Sequence, residues 1–168
     1  VGLGMLFAAI RKTIAWFTYG QSYCDFITNP GVIGGWFKAN VQTGLILGPN
    51  DQVKLTLRCL RRYTTGSGKN RSTHTDYKWQ EETVLPSERT RRAADGRTEI
   101  PIAFAIPRGC EATTMDDSDD RILWQLEVKA EVPGVDYEAE FEVPVFVTPE
   151  SSDSFQAQTA EVYALSLI

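Results

Sequence analysis

Histidine occurs once in the 168 residues, at His74. A lone imidazole excludes the paired-histidine zinc helix, and it leaves no second general base for a catalytic triad. Cysteine is nearly as scarce. Cys24, Cys59 and Cys110 are odd in number, lie far apart and form no CxxC. That pattern argues against a disulfide scaffold and fits a reducing compartment better. No GxSxG occurs. Positive charge is also short, with 17 Lys and Arg against 22 Asp and Glu, a net charge of -5. Bulk binding to nucleic acid normally needs a basic surface, so a polynucleotide is the less favoured partner. The only long uncharged apolar run is residues 1–10, VGLGMLFAAI, half the roughly twenty residues that span a bilayer. There are no internal repeats, and nothing in the sequence asks for a cofactor.

Alternation is what the chain has in plenty. In residues 121–147, Ile122, Trp124, Leu126, Val128, Ala130 and Val132 share one parity, and Gln125, Glu127, Lys129 and Glu131 take the other. Period two is the signature of a pleated strand with one buried and one wet face. After Pro133-Gly134 the pattern restarts with Val135, Tyr137, Ala139, Phe141, Val143 and Val145 against Asp136, Glu138, Glu140 and Glu142, so the two segments read as a hairpin. A hairpin alone is marginal in water and needs a second layer. The rest of the chain supplies it. Extended runs are expected at 23–28, 36–47, 52–63, 71–84 and 98–106, separated by turn signals such as Asn29-Pro30-Gly31 and Gly48-Pro49-Asn50-Asp51. Residues 52–63 and 71–84 should pair as a long hairpin. Cys59 shares the parity of Val53, Leu55 and Leu57 and reads as a small buried side chain. Pro101 places its strand at an edge or a bulge. The expected fold is therefore all-β, an antiparallel β-sandwich of about seven strands. Its organisation is a short N-terminal apolar helix in 1–20, a sandwich domain in 21–150 and a tail in 151–168.

The N-terminal segment admits three readings. The chain begins at Val1, which suggests a processed chain or a piece of a longer one. Residues 1–10 followed by Arg11-Lys12 can be the last turns of a membrane helix, with the basic pair placing the domain on the cytoplasmic side. Leu3, Phe7, Ile10, Ile14 and Phe17 also fall at helical spacing, as in an amphipathic helix packed on its own domain. A cleaved signal peptide is the third reading.

Candidate chemistry is sparse. GSGK at 66–69 resembles a fragment of a phosphate loop, but Tyr63 stands where the first glycine is needed and Asn70 replaces the magnesium-holding Ser or Thr. A tight hairpin turn accounts for it better. Asp116, Asp117, Ser118, Asp119 and Asp120 are calcium-type oxygen donors without the spacing of a calcium loop. They support a metal-dependent hydrolase only as an alternative reading. Asp136, Glu138, Glu140 and Glu142 read as the wet face of a strand that keeps its edge from pairing with other molecules. The candidate binding surface is basic: Arg58, Arg61, Arg62, Lys69, Arg71 and Lys78 lie on one hairpin with Tyr63 and Tyr77, and Arg89, Arg91, Arg92 and Arg97 follow. Such a patch suits a protein partner or anionic lipid headgroups. Charge balance against the chain's own acids is the competing explanation.

Two resemblances follow from particular residues. IPIAFAIPRG, an acidic spacer and RILWQLEVKAEVPG resemble the central signature of arrestin-like sandwiches over about forty residues. GQSYCDFITNPGVIGGWFKANV, LRCLRRYTTGSGKNR, KWQEE and PGVDYEAEFEVPVF are similar to the C-terminal soluble region of uncharacterised bacterial two-helix membrane proteins, a domain of unknown function. The first implies a binding scaffold. The second implies that residues 1–10 end a membrane helix, with the domain at the inner membrane, on the cytoplasmic side or alternatively the periplasmic side.

Overall fold

The computed structural model describes residues 19–116, 118–153 and 155. Among them, ten strands run in chain order: β1 (Tyr23–Phe26), β2 (Gly31–Val32), β3 (Gly35–Thr43), β4 (Gln52–Thr65), β5 (Ser72–Pro86), β6 (Arg91–Arg92), β7 (Thr98–Ile106), β8 (Asp120–Ala130), β9 (Tyr137–Glu142) and β10 (Val145–Phe146). The seven longer ones correspond to the seven expected extended runs. Together with the two-residue β6 they form two four-stranded antiparallel sheets, β1-β3-β7-β6 and β5-β4-β8-β9, and β2 pairs in parallel with β10 as a separate two-stranded ribbon. The helix expected in 1–20 lies outside the described residues, save for Tyr19 and Gly20. Among the described residues no helix is long and apolar enough to cross a membrane.

The sheets face each other through the side chains whose alternation marks the sequence. From β3 and β7 come Phe37, Ala39, Val41, Ile100, Ile102, Phe104 and Ile106; from β4, β8 and β9 come Val53, Leu55, Leu57, Cys59, Trp124, Leu126, Val128 and Tyr137. Both inner faces are apolar because each strand places every second residue inward. This is the sandwich that the arrestin-like resemblance implies at the level of architecture. Trp124 is fully buried, stands opposite Cys59, packs against Trp79 at 5.5 Å between ring centroids and donates its indole N–H to the Glu111 carbonyl at 2.9 Å. The small thiol leaves room for the large ring.

Several local expectations are refined. The connection between β8 and β9 spans residues 131–136, longer than a two-residue Pro-Gly turn, so Val132 is half-buried and not a core residue. Pro101 sits without a bulge opposite Asn40, on the stretch of β7 beyond its short pairing with β6, where a missing N–H disrupts no ladder. Residues 66–71 form the expected hairpin turn. Gly66 adopts a φ of +82°, and a Cβ there would lie 2.1 Å from the Asn70 carbonyl oxygen. The start of the tail is docked: Ser152 donates its N–H to Gly34, Arg108 pairs with Asp153 at 2.6 Å and Phe155 meets Trp36 edge-on. The rest of the tail lies outside the described residues.

Glu127 departs most from the sequence reading. Assigned to the wet face by parity, it does point away from the core, yet it is only 5% exposed. Arg58 and Lys129 lie over it. Truncating Trp124 to alanine should destabilise the domain by about 3–5 kcal/mol, the range for a large buried aromatic. Trp124→Phe should retain part of that loss, because phenylalanine cannot donate to Glu111. Urea unfolding of both variants measures the two contributions.

Candidate functional site

The six basic candidates lie on the β4–β5 hairpin and its turn, and β8 with the connection that precedes it supplies the counter-charges of those that are paired. Along β4 the core parity runs through Cys59, Arg61 and Tyr63, opposite Trp124, Ile122 and Asp120. The outer parity runs through Arg58, Leu60 and Arg62, opposite Gln125, Leu123 and Arg121. A register shift between Cys59 and Leu60 leaves Lys78 as the extra residue of β5, a bulge that increases the local twist.

Four of the six are neutralised within the domain. Arg58 donates to Glu127 at 3.0 Å and to Gln80 at 3.2 Å, and it lies over the Tyr77 ring. Arg61 makes two bonds to Asp120, one of them 2.7 Å, and stacks over Tyr63. Arg71 pairs with Asp119. Lys78 stands 3.7 Å from Glu111. Charge balance thus explains most of the patch. Arg62 and Lys69 have no such partner among the described residues, nor does Arg121, which the sequence alone did not single out. Its position in β8 directly across from Arg62 depends on strand pairing, which no local sequence signal reveals.

The surrounding aromatics make this end of the sheet distinctive. Tyr77 is 66% exposed. His74 is exposed, stacks on Tyr63 at 5.2 Å and shares a 2.9 Å hydrogen bond with Thr65. Of the other basic residues, Arg91 and Arg92 form β6 at the edge of the opposite sheet, and Arg97 lies over Tyr23.

The acidic loop is engaged in its own structure. Asp116 accepts the Ser118 backbone N–H at 3.2 Å, the Ser118 hydroxyl donates to the Asp120 carbonyl at 2.6 Å, and Asp119 and Asp120 are the partners of Arg71 and Arg61. Hydrogen bonds from Ser118 hold the Asp116 carboxyl below its usual range, and the Arg61 bonds do the same for Asp120. Asp116 and Asp120 are thus shifted down, the opposite direction from the raised value that marks a general acid. Asp117 lies outside the described residues.

A different acidic group has better donor geometry. One carboxylate oxygen each from Glu127, Glu138 and Glu140 lie within 4.8 Å of one another. A cation already stands among them: the Lys129 ammonium is 3.0 Å from Glu127 and 3.8 Å from Glu138. Together with Arg58 it neutralises the group from within the chain, so the cluster has the character of an internal salt bridge. Burial pushes the Glu127 carboxyl up, but the hydrogen bonds and charges of Arg58 and Lys129 outweigh it and leave the group below its ordinary value. Glu127 also raises Lys129.

A concavity of about 980 Å³ lies at the other end of this sheet. Gln21, Ser22, Asn50, Lys129, Tyr137 and Glu140 are among its lining residues. It contains none of the six basic candidates and none of the acidic-loop residues. Cys59 is buried, and burial, more than the neighbouring Cys110 and Glu111, pushes its thiol up to about 12. That makes it a packing residue and no nucleophile.

No family model matches the chain, and no curated protein matches it. Among solved structures, the crystal structure of Spo0M, sporulation control protein, from Bacillus subtilis, is similar over 79% of this chain and 51% of that one, at 11% identity and a TM-score of 0.46. The similar region spans about half the length of that protein. A likeness of this order transfers no site and no activity.

The Glu127 pairing has a pH signature. Its folded value is depressed, so its stabilisation is fully present above the unfolded value of about 4.3 and is lost as pH falls through the folded value. Glu127→Gln should lower stability at neutral pH and flatten that acid limb, as thermal melts across pH 2–7 would reveal. Lys129→Met should leave three carboxylates without their ammonium. Its melting temperature is expected to fall and to recover partly with millimolar calcium, a response absent from the parent protein.

Proposed function

We propose that this chain is a noncatalytic binding domain that meets an anionic partner through the hairpin end of the β5-β4-β8-β9 sheet. One observation carries the reading: charge is separated along that sheet. Among the described residues, Arg62, Lys69 and Arg121 stand without an acidic partner at the hairpin end, while Glu138, Glu140 and Glu142 gather on β9 toward the other. Uncompensated cations beside an exposed Tyr77 suit a surface dense in negative charge. The setting proposed is a bacterial inner membrane, with residues 1–10 as the end of a membrane helix and the domain on the cytoplasmic side, or the periplasmic side in the alternative topology. The Arg11-Lys12 pair after the apolar run supports the cytoplasmic placement.

A second reading is favoured by a separate observation. β5 is fifteen residues long, is paired among the described residues only with β4, and is exposed from Ser72 through Lys78. A free edge of that length offers a template for strand addition by an extended segment of a protein partner. Selected extended peptides would then protect the outward amides of β5 from hydrogen exchange.

Vesicle sedimentation tests the first reading. Binding to phosphatidylserine-containing vesicles should exceed binding to phosphatidylcholine and fall with added salt. Each basic residue near such a surface contributes about 1 kcal/mol, so Arg62→Glu and Lys69→Glu together should reduce partitioning by more than tenfold, roughly. Equal sedimentation with neutral lipid would overturn it.

A further inference from the structure

Building on that reading of the hairpin end, we propose that Arg62 and Arg121 form a clamp for one phosphate-type dianion on the outer face of the sheet. The two residues are direct register partners in β4 and β8. Cβ atoms of such a pair lie roughly 4.5–5.5 Å apart, and like charges placed there repel. Lys69 in the turn apart, the other cations of the hairpin are given acids: Glu127 for Arg58, Asp120 for Arg61, Asp119 for Arg71 and Glu111 for Lys78. Among the described residues nothing comparable reaches Arg62 or Arg121.

The local charge count sets the ligand's valence. Asp120 belongs to the core-side parity with Ile122 and is held by Arg61. Asp119, two residues before Arg121, is held by Arg71. Arg58 is held by Glu127, which leaves the adjacent Arg62 and Arg121, two positive charges, without an acid among the described residues. A phosphate dianion matches that excess and has enough terminal oxygens to accept from two guanidinium forks at once; a single carboxylate has neither property. The platform is firm. Leu60 and Leu123, the preceding pair on the same face, are 3% and 5% exposed, so the arginine stems rise beside an apolar row. Thr75, opposite Arg62 on β5, places a hydroxyl-bearing residue on the third side.

Inorganic phosphate is the first probe, titrated at constant ionic strength against chloride while the arginine Nε–Hε resonances are followed by NMR. Saturable shifts are expected at Arg62 and Arg121, with affinity falling about tenfold in Arg121→Gln, the loss of one charge-assisted bond pair. Arg121→Lys keeps the charge and removes the fork, and should lose most of that affinity as well. Arg121→Gln should also melt higher than the parent in phosphate-free buffer, because the repulsion is relieved, which shows that the variant folds. A second arm distinguishes the source. Preference for phosphatidic acid over phosphatidylserine vesicles, lost in Arg121→Gln, assigns the phosphate to a lipid headgroup; saturation by free phosphate without that preference assigns it to a soluble phosphate. Shifts no larger than those in chloride would refute the clamp. Anionic vesicle binding that persists beside such a flat titration would leave the broader binding reading intact.

Discussion

The pairing of β4 with β8 is the constraint on which the other contacts depend, and Trp124 fixes it. Opposite this ring stands Cys59, whose small side chain admits the indole; its face meets Trp79 from β5, and its N–H reaches the Glu111 carbonyl in the connection from β7. That connection has to carry the chain from one sheet to the other. Thr113 and Thr114 tie it further, to Val145 and Ile122, so the inter-sheet crossing is held at several backbone positions in a row. A buried aromatic contributes several kcal/mol by transfer alone, against less than about 1 kcal/mol for an exposed ion pair. The register of the sheet is therefore chosen by the core, and the charges must accommodate it.

That hierarchy explains what was legible in the sequence. Strands that alternate over many residues, such as β4, β8 and β9, announce both their extent and their inner face, because one buried side chain in two leaves a periodic trace. β2, β6 and β10 are two residues long, too short for any period. Glu127 was misread for a related reason: parity correctly gives its face, but its burial depends on Arg58 and Lys129 lying over it, and Arg58 comes from another strand. The basic hairpin was visible as a cluster of residue types. Its counter-charges on β8, and the opposition of Arg62 by Arg121, depend on which strands become neighbours, and that is set by long-range packing.

The same sheet manages its two edges differently. β9 carries Glu138, Glu140 and Glu142 outward, and repulsion between copies discourages edge-to-edge pairing. One of these acids sits near the Lys129 ammonium, which also serves Glu127, so the acidic row is partly balanced where it meets the sheet. β5 instead has a bulge at Lys78 and an exposed half beyond it. Its edge is twisted but not strongly charged, which leaves it the more open of the two.

Register also bears on why two arginines should face each other. Sliding β8 by two residues along β4 would bring Asp119 opposite Arg62 and relieve the repulsion, but it would set Leu57 against Trp124 in place of Cys59 and overpack the core. Packing outweighs charge, so the position is dictated. The residue type is not. Both arginines are on the outer, half-exposed face, where threonine or glutamine fits the strand equally well and removes a repulsion of about 0.2–1 kcal/mol. The fold fixes that these two positions are neighbours; it gives no reason for both to be cationic. A requirement outside the fold, an anion that needs two guanidinium groups side by side, supplies one.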